Sequence, residues 1–108
     1  MRVLFDQATP VPIRPFLTGH VVSTAAREGW SELDNGDLLA AAEAAGFDVL
    51  LTTDTNIRYQ QNLEGRKIAI VVLGTQQWPE LQPHVQLVVA AVNAAAPGSY
   101  AEVHVPFE

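Results

Sequence analysis

Three aspartates stand where carboxylates could share one task. Asp6 follows the apolar run Val3-Leu4-Phe5, Asp37 follows Asn35-Gly36, and Asp54 follows Leu50-Leu51-Thr52-Thr53. Carboxylates gathered in one place repel one another, so such a group is electrostatically costly until a cation sits among them. Oxygen donors of this kind suit Mg²⁺ or Mn²⁺. Each acid also has an ordinary structural reading: Asp54 caps the helix that follows it, and Asp37 complements a helix dipole. Spacing alone leaves both readings open.

Around these acids, Gln7 and Asn56 add neutral oxygens, and Arg58, Tyr59, Gln60, Gln61 and Asn62 follow directly. Arg58 and Asn56 suit contacts to a phosphate backbone, and Tyr59 suits stacking on a base; the same run also reads as one solvated helix face or a subunit contact. His20, His84 and His104 lack the spacing of a zinc site or of a nucleophile's base. No serine lies in a G-x-S-x-G context, no glycine-rich phosphate loop is present, and with no cysteine there is neither disulfide nor thiolate chemistry.

The elements that must position the acids follow from the alternation of apolar runs and breakers. Arg2 to Phe5, His20 to Thr24, Asp48 to Thr52, Ile68 to Leu73 and Tyr100 to Val105 are predicted strands. A short helix is expected between Pro10 and Leu17, limited by Pro15 and Gly19. Glu28 to Gly36 reads as a turn. Asn35 is the expected N-cap of a helix carrying Leu38, Leu39, Ala41, Ala42 and Ala45 and stopping at Gly46. A further short helix is expected over Thr55 to Leu63. A last one follows Pro79 or Pro83 and runs to about Ala96, with Leu81, Val85, Val88 and Val92 recurring at helical spacing.

This β-α-β order with crossovers of helical length implies a mostly parallel five-stranded sheet between two helical layers, an α/β fold in one domain over residues 1–108. In such sheets ligands bind beyond the carboxyl ends of strands, where the strand order reverses. If the first and third strands are neighbours, ~4.8 Å apart, Asp6 and Asp54 face one crevice.

Composition narrows the class of partner. The net charge of −6, with only six Lys and Arg, disfavours unaided nucleic-acid binding. It still permits a nuclease whose carboxylates reach the phosphodiester through a cation. No segment approaches the ~20 apolar residues of a membrane span, and no signal peptide is recognised at Met1 to Asp6, so a cytoplasmic protein is expected. Trp30 and Trp78 are amphipathic anchors for either the core or a homodimer contact.

Together, Val3-Leu4-Phe5-Asp6, Asn35-Gly36-Asp37-Leu38-Leu39 and Val49-Leu50-Leu51-Thr52-Thr53-Asp54 resemble PIN-like domains, in particular the short group linked to bacterial toxin–antitoxin modules. The resemblance runs on through Arg58 to Leu63, Trp78-Pro79 and Ala96 to Tyr100. It implies an α/β/α sandwich and, in active members, Mg²⁺- or Mn²⁺-dependent ribonuclease chemistry by three or four acids. Asp6, Asp37 and Asp54 would be the matching acids, RNA the substrate and an antitoxin protein the partner. Gln7 and Asn56 stand where many such domains carry Glu and Asp. An amide takes no proton from water and brings no charge to a cation, so the alternative implied is a catalytically silent module binding RNA or protein.

Overall fold

Val3, Leu4 and Phe5 are all fully buried, which an alternating strand achieves only when both faces of its sheet are covered. The structure, a computed structural model, describes residues 1–57 and 65–104. Strand β1 (Arg2–Phe5) leads through a 3₁₀ helix (Val11–Phe16) to β2 (Val21–Thr24). Helices α1 (Ala25–Glu28) and α2 (Asn35–Ala44) then precede β3 (Val49–Thr52). After β4 (Ala69–Leu73) come α3 (Trp78–Leu81), a 3₁₀ turn (Gln82–His84), α4 (Val85–Asn93) and β5 (Tyr100–Val103). The helix expected over Thr55 to Leu63 falls largely outside the described residues.

The five strands form one sheet in the order β2-β1-β3-β4-β5, and every pairing in it is parallel. Period-two alternation divides its side chains between two cores. Val3, Phe5, Val49, Leu51, Val71 and Leu73 pack with Ile13, Leu81, Val85, Val88 and Val92. Leu4, Leu50, Ile70 and Val72 pack on the other face with Ala25, Leu38, Leu39, Ala42 and Ile57. The result is the expected three-layer α/β arrangement, with the sheet parallel throughout. No helix among the described residues is long and apolar enough to cross a membrane.

Local chemistry explains where elements differ from expectation. Asp34, not Asn35, is the N-cap of α2: its carboxylate accepts the Asp37 backbone N–H at 2.8 Å, which places Asn35 inside the helix. Ala25 to Glu28, for which the sequence offered no element, forms the short helix α1 because the Thr24 hydroxyl accepts the Arg27 N–H and Gly29 ends the turn at φ +81°. Of the two starts expected for the last helix, the one after Pro83 holds: α4 begins at Val85, and the short α3 is separated from it by the 3₁₀ turn at Gln82–His84, where Pro83 has no N–H to continue an α-helical ladder.

Candidate functional site

Strand order reverses between β1 and β3: from β1 the chain moves outward to β2, then returns past β1 to β3. This is the position at which open parallel sheets leave a crevice beyond their strand ends. Asp6 follows β1 there, and its N–H extends the ladder by donating to the Leu51 carbonyl at 3.1 Å. Asp54 lies two residues beyond the end of β3. Both side chains are half-buried.

Asp6 is held by two hydroxyls. Thr9 lies 2.8 Å from one carboxylate oxygen, and Thr52, fully buried on β3, donates to the other. Thr52 also accepts the Asp54 backbone N–H at 3.1 Å, so one hydroxyl links the two acidic positions. Asp54 accepts from the Asn35 side-chain amide and, in an Asx turn, from the Asn56 N–H at 2.9 Å. It therefore closes the turn after β3 with its own side chain; the helix it was expected to cap lies largely outside the described residues.

Asp37 is exposed in the first turn of α2; the side chain of α2 that reaches Asp54 is Asn35. Asn56 is exposed beside Asp54, while Arg58 and Tyr59 lie outside the described residues. Among the described residues no three Asp, Glu or His side chains are grouped so as to hold a metal ion. Mg²⁺ usually keeps several waters and is bound through one or two carboxylates, a donor set that Asp6 and Asp54, beyond the ends of the paired strands β1 and β3, match in chemistry. Carboxylates accept only, and each oxygen has lone pairs beyond the single bonds described.

Sequence reasoning passed over Thr9, Thr52 and the side chain of Asn35. Thr9 and Thr52 are the two buried polar residues among those described. A threonine inside a run of apolar residues was the available signal, since a buried hydroxyl needs a partner. That partner is remote in sequence for Thr52.

Two depressions flank Asp6 and Gln7. One, of about 440 Å³, also involves Thr9, Val11, Thr24 and Ala26. The other, of about 170 Å³, lies against α1, α2 and the loop between them. No family model, curated protein or solved structure matches the chain. What the fold defines is a doubly wound α/β domain, a class that hosts many activities, so function has to be argued from the site.

Proposed function

We propose that the chain is a PIN-like phosphodiesterase domain that cleaves RNA with one Mg²⁺ or Mn²⁺ held by Asp6 and Asp54. The observation that carries this reading is the placement of the two aspartates beyond adjacent parallel strands at the switch point, joined through Thr52. When bound, the cation supplies positive charge against the phosphate and makes water more acidic. Thr9 and Thr52 fix the Asp6 carboxylate, and Asn35 and the Asn56 N–H orient that of Asp54. Asp54 accepts the proton of the attacking water. Asn56 and Arg58 contact the substrate backbone and Tyr59 stacks on a base, and the resemblance assigns Asp37 the third acidic position. The reading goes with a cytoplasmic protein and, by the resemblance, with a protein antitoxin as partner.

A second reading is favoured by a specific observation: both carboxylates already accept hydrogen bonds from neighbours, and amides occupy positions 7 and 56. On that reading the chain is a catalytically silent module binding RNA or protein.

Thermal unfolding with and without millimolar Mn²⁺ separates the two, because a ligand bound only by the native state raises its stability. The nuclease reading expects a rise in Tm for the wild type that Asp54→Asn abolishes, together with EDTA-sensitive cleavage of single-stranded RNA. No shift and no cleavage would overturn it in favour of the silent module.

A further inference from the structure

We infer that the smaller depression beside Asp6 is a nucleobase pocket, an assignment that rests on the phosphodiesterase reading and names how its substrate is held. At about 170 Å³ it is below the ~300–1,000 Å³ of sites that enclose a whole drug-sized ligand. That space suits one flat ring system.

Its walls have the chemistry such a ring requires. Trp30, Leu33 and Leu38 supply aromatic and apolar surface, and Gln7 and Ser31 supply donors and acceptors at the same cavity. Trp30 is half-buried and its ring packs edge-on against Phe47, centroids 6.0 Å apart at 77°. A ring held in that way needs little further ordering to stack on a base, and stacking on an aromatic side chain is the usual anchor for an unpaired base. Hydroxyl and amide groups then read the base edge.

Continuity with the acidic site decides the occupant. Asp6 and Gln7 line both this cavity and the larger one of about 440 Å³. A base seated against Trp30 thus lies beside Asp6, and the chain leading from it passes Asp6 toward the larger depression. Duplex bases are stacked and cannot enter such a pocket, so the substrate is single-stranded or carries a splayed-out base.

Calorimetric titration of AMP, CMP, GMP and UMP into the whole chain in EDTA tests the pocket without cation or cleavage. One or more nucleotides should bind with 1:1 stoichiometry, and ribose 5-phosphate should not compete. Gln7→Ala or Ser31→Ala should weaken binding about 5-fold, the effect of one hydrogen bond. Trp30→Ala should weaken it more than Trp30→Phe, which keeps a ring. Absence of binding by all four nucleotides, equal binding of ribose 5-phosphate, or insensitivity to both Gln7→Ala and Ser31→Ala would overturn the pocket. Cleavage of RNA with no nucleotide binding would sink the pocket and leave the phosphodiesterase standing; binding without cleavage would do the reverse.

Discussion

The Thr52 hydroxyl donates to the Asp6 carboxylate while accepting the Asp54 backbone N–H, so a fully buried side chain on β3 ties together the two acids of the site. Thr52→Val keeps the shape and removes the hydroxyl. The Asp54 N–H then loses its acceptor and Asp6 one of its two donors, which costs ~1–3 kcal/mol. Urea denaturation measures that loss. Thr52→Ser keeps the hydroxyl at a cost of ~0.8 kcal/mol for the missing methyl. It should retain the Mn²⁺-dependent rise in Tm, whereas Thr52→Val should diminish it.

Asp37 and Asp54 should separate in the same assay. Asp54 stands at the strand ends beside Asn35, and Asp37 is exposed on the first turn of α2. Asp54→Asn is expected to abolish the metal response. Asp37→Asn is expected to reduce it by less, and a loss as complete as that of Asp54→Asn would make Asp37 an equal ligand.

Capping of α2 belongs to Asp34. Asp34→Ala should therefore destabilise the fold by ~1 kcal/mol, while Asn35→Ala, which removes a partner of Asp54, should act mainly on cation affinity. Thermal unfolding with and without Mn²⁺ distinguishes the two: the first variant lowers both Tm values equally, the second narrows the gap between them.

The strands were legible because a sheet covered on both faces leaves an unbroken apolar run, as in Ile68 to Leu73, bounded by Lys67 and Gly74. Asp6 and Asp54 were legible as a pair because parallel strands bring equivalent ends to one edge. The pairing of β1 with β3, which that expectation required, is present in the sheet. Asn35 was misassigned because Asp34 and Asn35 are both good N-caps and only backbone geometry chooses between them. Thr52 was passed over because its role exists only across strands, and Thr9 because its hydroxyl also reaches the distant Leu51 carbonyl. The identity of the α2 side chain that reaches Asp54 depends on a helix start one residue earlier or later, which is the least legible property of any helix.

Gly98 has φ +76°, and a Cβ on it would come 2.8 Å from the Arg66 carbonyl oxygen. Its N–H donates to the Lys67 carbonyl at 2.9 Å, fastening the turn before β5 to the start of β4. Gly98→Ala meets both a left-handed backbone and a backbone atom that cannot swing aside, and should cost at least ~1–2 kcal/mol. Denaturant unfolding checks this, and a neutral result would mean that the turn relaxes away from Arg66.

Asp6→Asn is expected to remove cation binding at little cost to the fold, and Thr9 is the reason. The Thr9 hydroxyl carries one hydrogen, yet it lies 2.8 Å from the Asp6 carboxylate and 2.8 Å from the Leu51 carbonyl. With an amide at position 6, the carbonyl oxygen can face Thr52 and the NH₂ group can face Thr9. Thr9 then turns its hydrogen to Leu51 and accepts from the amide, so every buried polar group keeps a partner. The stability change should stay within ~1 kcal/mol, because hydrogen bonds are exchanged and none is lost. Thr9→Val combined with Asp6→Asn removes the compensating acceptor and should be clearly less stable than the sum of the single variants. Additive losses in a double-mutant cycle would show that Thr9 does not make this exchange.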